Sequence, residues 1–127
     1  MNSLQSTVGS GISAPFRKLK VWQKAHELTL AIYPASRSFP REELYGYTSQ
    51  IRRAALSSAT NIVEGSKRRT QADFRHFLTI AQSSNEEVKY LLIVGAELNY
   101  IPVSTADKFI RLADEVGAML YSFSNQL

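Results

Sequence analysis

Three pairs of adjacent carboxylates, Glu42–Glu43, Glu86–Glu87 and Asp114–Glu115, come closest in type to the two-carboxylate chemistry of general acid–base catalysis. Neighbouring residues on a helix point about 100° apart, so the members of a pair cannot converge on one substrate bond. All three read as solvated faces. His26 and His76 lack metal-ligand spacing and read as helix-surface or boundary residues. A di-metal bundle site needs Glu-x-x-His pairs on facing helices, and the sequence has none. Cysteine is absent, which removes thiolate nucleophiles, disulfides and cysteine-ligated zinc or iron–sulfur centres. Gly9-Ser10-Gly11 lacks the lysine and the strand context of a phosphate loop, and no Gly-x-Ser-x-Gly elbow occurs. The expectation is a protein that is not an enzyme and carries no cofactor or metal.

The cationic side chains are distributed differently. Residues 1–75 hold twelve Lys/Arg against five Asp/Glu, net +7, whereas residues 76–127 hold three against six, net −3, which gives the +4 of the whole chain. Arg17, Lys18, Lys20 and Lys24 form one group, and Lys67, Arg68, Arg69 and Arg75 a second; Arg52 and Arg53 lie between them in sequence. Clustered cations of this kind create a field that attracts polyanions. The competing reading is that Lys67 to Arg69 complement a helix C-terminus and keep the surface wet. Charge alone leaves both readings open.

Whether these groups meet depends on the elements that carry them. Residues 1–14 are rich in Ser, Gly, Asn, Gln and Thr without an apolar period, and the expectation is a disordered tail ahead of a single domain over residues 15–127. Four segments of that domain have helical spacing. The first, from about Leu19 to Ser38, contains Pro34, which predicts a kink or an early end. The second is expected to start at Glu42–Glu43, to run with Leu44, Tyr47, Ile51, Ala55, Ser58 and Ile62 on one face, and to stop at Gly65 through a left-handed cap. The third and fourth carry capping-box spacing at Thr70/Asp73 and Ser104/Asp107. Phe74, Phe77, Ala81, Ser84, Val88, Leu91 and Leu98 should line the third.

No segment alternates in the manner of a strand, so the fold expected is an all-α, antiparallel up-down-up-down four-helix bundle. In that topology the start of the first helix lies at the same end as the link between the second and third, so the two cationic groups gather, diluted only by Glu27, Glu64 and Asp73. The small residues Ala54, Ala55, Ser57, Ser58 and Ala59 suit close approach of a neighbouring helix. Ala54, Leu56, Ala59, Val63, Ile80 and Leu92 fall outside the main apolar faces and suggest a side surface covered in an oligomer. The most apolar stretch, Tyr90 to Ala96, is far shorter than the roughly 20 residues of a membrane span, and no signal peptide is recognisable, so a cytoplasmic protein with no membrane partner is expected.

Several separated motifs share one further property. Phe16-Arg17-Lys18-Leu19-Lys20-Val21-Trp22-Gln23-Lys24-Ala25-His26-Glu27-Leu28, Ser38-Phe39-Pro40, Glu43-Leu44-Tyr45-Gly46, Gln50-Ile51-Arg52-Arg53-Ala54-Ala55, Asn61-Ile62-Val63-Glu64-Gly65 and Phe74-Arg75-His76-Phe77-Leu78-Thr79-Ile80-Ala81 stand in order and spacing that resemble the four-helix-bundle family encoded in intervening sequences of bacterial 23S ribosomal RNA genes. The resemblance spans Phe16 to Pro102 and extends to the accessory variability determinant of diversity-generating retroelements. It implies a ring-shaped homopentamer whose basic surface meets nucleic acid, with a protein partner such as a reverse transcriptase. The chain departs from the family pattern at Pro34 and at Ser58-Ala59, where an apolar residue followed by proline is common. Asn61 and Glu64 are read as structural, satisfying neighbouring groups. The function expected is that of an oligomeric, non-enzymatic accessory protein binding RNA or DNA through Arg17, Lys18, Lys20, Lys24, Arg52, Arg53, Lys67, Arg68, Arg69 and Arg75. The alternative is an oligomeric protein–protein scaffold without nucleic-acid binding.

Overall fold

The computed structural model of the protein describes residues 14–127, so the expected tail, Ala14 apart, lies outside the described residues. Four α-helices follow one another: α1 Lys20–Ser36, α2 Tyr47–Gly65, α3 Gln71–Glu97 and α4 Val103–Asn125. Single turns of 3-10 helix at Pro15–Lys18 and Arg41–Glu43 precede α1 and α2, and no strand occurs among the described residues. Each helix packs on its chain neighbours, and α1 closes the ring against α4. The links are too short to let a helix return in the same direction, and the result is the up-down-up-down bundle expected.

The helix ends differ from the sequence reading in instructive ways. Thr70 caps α3 as its spacing predicts, its Oγ1 accepting the Asp73 N–H at 3.1 Å. Ser104 does not cap α4. Pro102 occupies the N-cap with an extended ψ of 141°, and its carbonyl accepts the Ala106 N–H at 2.9 Å, so the helix starts before Ser104 is reached. Glu42 and Glu43 do not open α2 either; they belong to the separate 3-10 turn, and α2 begins after Gly46. Glu43 still serves that terminus from outside, because its Oε1 accepts the Tyr47 N–H at 3.2 Å. Leu44, placed on the buried face by a continuous helix, is consequently exposed. Pro34 falls in the last turn of α1, where few hydrogen bonds remain to lose, and the helix ends two residues later at Ser36.

Gly65 closes α2, but not by a left-handed cap, since no described glycine has a positive φ. That conformation belongs to Asn99, at φ 63°, after α3. The Tyr100 N–H bonds to the Gly95 carbonyl at 2.8 Å and the Asn99 N–H to Ala96 at 3.1 Å, the two hydrogen bonds of a Schellman ending. Leu98, expected on the inner face, lies at this ending and is exposed.

The core has two apolar clusters separated by a polar layer. One gathers Leu28, Ile32, Tyr47, Ile51, Val88, Leu91 and Phe109 toward the α3–α4 turn. The other gathers Val21, Trp22, Ile62, Leu78, Val116 and Leu120 toward the α2–α3 link. Between them sit the buried Thr29, Ser58 and Asn85. Thr29 Oγ1 bonds to the Ala25 carbonyl at 2.9 Å and to Ala55 at 3.1 Å, and Asn85 Nδ2 donates to Ala113 at 2.8 Å. Ala54, Ala59 and Leu92, expected on an oligomer surface, are buried inside the bundle instead. Of that set, Leu56 is exposed and Val63 and Ile80 are half-buried.

Candidate nucleic-acid interface

The sequence places Pro15 in the first turn of a 3-10 helix, which swings Phe16 onto the edge of Trp22, ring centroids 5.0 Å apart. That anchor brings the entry segment against the α2–α3 link. Pro15, Phe16 and Leu19 line one open cleft of about 240 Å³ together with Ser66, Lys67 and Phe74. Arg17, Lys18 and Lys20 thereby share an end of the bundle with Lys67, Arg68 and Arg69, as the topology predicts. Phe74 meets Phe123 edge-on at 5.4 Å, and Arg75 Nη1 donates to the Leu127 carbonyl oxygen at 2.6 Å, so the end of α4 is drawn to the same place.

The cations at this end are not equally available. Lys24 lies 3.7 Å from Glu27 and 3.4 Å from Glu115, a partner on α4 that spacing along the chain does not reveal. Arg68 lies 3.9 Å from Glu64 and covers the Phe77 ring at 4.5 Å. Arg17 sits 5.3 Å from the Trp22 ring centroid. Lys18, Lys20, Lys67 and Arg69 are exposed and have no ion-pair partner among the described residues. His26 stacks on Trp22 at 4.5 Å, and burial, with the Arg17 charge adding to it, holds its pKa below the usual histidine value. It does not add to the positive field at neutral pH.

Arg52 and Arg53 do not join this end. They lie one helical turn into α2, about 18 Å along the axis from Gly65 at 1.5 Å per residue. Arg52 Nε donates to Ser36 Oγ at 2.7 Å and its guanidinium stands 5.3 Å from the Tyr33 ring. Arg53 turns the other way, into a groove between α2 and α3 lined also by Tyr45, Gln50, Ser57, Ser84 and Glu87. Arg37 directly follows Ser36 and Arg41 opens the next 3-10 turn, both exposed, so the far end carries cations that the sequence reading passed over. The signal was in the topology: an up-down bundle brings the α1–α2 link to the start of α2. No group of three or more His, Cys, Asp or Glu able to hold a metal occurs among the described residues. No described helix is long and apolar enough to cross a membrane.

A family model described as 23S rRNA-intervening sequence protein matches residues 17–122. Among solved structures, the chain is similar to a crystal structure of a protein with unknown function from the S23 ribosomal protein family of Bacteroides thetaiotaomicron VPI-5482. The two are 25% identical, the match covers 82% of this chain and 97% of that one, and the TM-score is 0.76. No curated protein matches the chain. Neither description names a catalytic activity.

Proposed function

The chain belongs to the 23S rRNA-intervening sequence protein family, and from that premise we propose that it is a non-enzymatic, oligomeric accessory protein that binds RNA or DNA through the basic end of its bundle. The cleft shared by Pro15, Phe16 and Leu19 with Ser66, Lys67 and Phe74 carries the proposal, because it makes one surface out of two cationic segments roughly fifty residues apart in sequence. Four exposed cations there lack carboxylate partners, which is what a phosphate backbone requires. In an oligomer each subunit repeats this surface, and repetition multiplies a modest charge into an extended field.

Binding of labelled RNA and DNA, followed by anisotropy between about 50 and 200 mM salt, tests this reading. Replacing Lys67, Arg68 and Arg69 together with Gln should weaken binding and flatten the salt slope by about one for each phosphate that is no longer neutralised. The control replaces Lys89, Lys108 and Arg111, and Lys89 is already held by Asp114 at 2.6 Å and Glu86 at 3.3 Å. If the two triple variants bind equally, the basic end is solubilising charge and the protein–protein scaffold takes its place.

A further inference from the structure

The groove that receives Arg53 lies on the α2–α3 seam, has a volume of about 580 Å³, and is polar on both walls. That volume falls within the range of small-ligand pockets. At its mouth Tyr45 is 93% exposed, a large aromatic ring presented to solvent on the turn before Gly46. Gln50 and Arg53 follow along the α2 wall, and Glu87 stands on the α3 wall. The floor is fixed by the Ser57 Oγ–Ser84 Oγ hydrogen bond at 2.8 Å, which is itself buttressed by Asn61 Nδ2 on the Ser57 carbonyl at 2.8 Å. Neither Arg53 nor Glu87 has an ion-pair partner among the described residues, although both line the same groove.

We propose that this groove takes one unpaired nucleotide of a single-stranded segment, an inference that rests on the nucleic-acid reading of the basic end. Tyr45 offers the flat face on which a base stacks. Arg53 supplies the cation for its phosphate, and Glu87 and Gln50 address the N–H donors and carbonyl acceptors of its edge. A duplex buries the stacking faces and pairs the Watson–Crick edges, so only an unstacked base can offer Tyr45 its face and Glu87 and Gln50 its Watson–Crick edge. Gln50, Arg53, Ser57, Asn61 and Glu64 recur at steps of three and four along α2, and Arg68 of the α2–α3 link pairs back to Glu64 at 3.9 Å. Two contacts to α3, Ser57–Ser84 and Arg68 over Phe77, put this stripe on the seam. The seam leads from the groove to the Lys67–Arg69 link over about 14 Å between Ser57 and Ser66. One strand following it meets phosphate-binding cations at one end and a base-binding pocket at the other.

The experiment uses the full chain, a short single-stranded DNA carrying 2-aminopurine, and the duplex of the same sequence. The wild type should quench the 2-aminopurine emission on binding and prefer the single strand. Tyr45→Ala should lose about tenfold in single-strand affinity and abolish the quench, with duplex affinity unchanged, while Tyr45→Phe keeps both. Tyr45 is almost wholly exposed, so the Ala variant should melt as the wild type does. If the wild type binds and Tyr45→Ala binds the single strand equally well, the inference fails and the basic end stands. If neither nucleic acid binds the wild type, both fail. A change of sedimentation on Tyr45→Ala would make the groove an interface between copies of the chain and overturn the inference.

Discussion

Gly65 and Phe77 approach so closely that a Cβ built on the glycine would stand 2.8 Å from the Phe77 Cβ and 2.9 Å from Phe74 Cδ1. This approach sets how tightly α2 turns into α3, and with it the position of Lys67, Arg68 and Arg69. A Cβ cannot swing away as the tip of a long side chain can. Gly65→Ala should therefore destabilise by about 1–3 kcal/mol, more than the ~1 kcal/mol that alanine gains in helix propensity. At Gly117 the nearest neighbour of such a Cβ is Asn85 Nδ2 at 3.4 Å, so Gly117→Ala should raise stability by about 0.5–1 kcal/mol. Thermal melts of the two variants should move in opposite directions.

The two sequence-level caps separate under mutation as well. Thr70→Ala removes the acceptor of the Asp73 N–H and should cost about 1 kcal/mol. Ser104→Ala removes no cap hydrogen bond and should change stability by less than about 0.5 kcal/mol. Urea titrations of both variants decide it; equal losses would put Ser104 back at the N-cap.

Alkaline stability should hinge on Tyr47. Its hydroxyl donates to the Leu91 carbonyl, and burial pushes its pKa up to about 12 from an ordinary value near 10. The unfolded chain gives up that proton near pH 10 and the folded chain near pH 12. The stabilisation is therefore complete below pH 10 and lost as pH rises toward 12, on the order of 2–3 kcal/mol in all. Tyr47→Phe should be less stable near neutrality by about 1 kcal/mol and show a shallower decline across that window. Lys89, raised chiefly by its hydrogen bond to Asp114, and Tyr100, raised chiefly by its hydrogen bond to Glu43, add to the decline in both proteins, so the difference between the two curves reports Tyr47 together with its repulsion by the neighbouring Tyr100.

Assembly should depend on α3 rather than on the side surface first expected. Tyr90 and Ile93 stand one turn apart and exposed, followed by the exposed Leu98 and Val103 on the way into α4. The wild type should sediment above monomer mass at micromolar concentration. Tyr90→Ser combined with Ile93→Asp should shift it to the monomer while leaving helix content intact, because neither side chain supports the core. A monomeric wild type would refute the oligomer.

The class of fold and its connectivity follow from the order and spacing of residues. Apolar residues at helical steps can be buried only by helices, and links this short leave only antiparallel neighbours, so the meeting of Lys18 and Lys20 with Lys67 and Arg69 is legible in the chain alone. Local chemistry is legible wherever it is strictly local, as at Thr70, whose cap needs nothing beyond three residues. It misleads where the backbone around it is set by something else: Pro102 takes the N-cap from Ser104, and Gly46 cuts Glu42–Glu43 off from α2. Gly65 marks a helix end for the wrong reason, since a chain shows that a side chain is missing but not which neighbour fills its place. Packing between helices decided that Phe77 does, that Glu115 draws Lys24 out of the cationic group, and that Ala54, Ala59 and Leu92 face inward. It also decided that Tyr45 stands bare beside Arg53. These are relationships between helices, and they depend on the rotation of each helix about its own axis, which packing against neighbours fixes and sequence periodicity leaves open by tens of degrees.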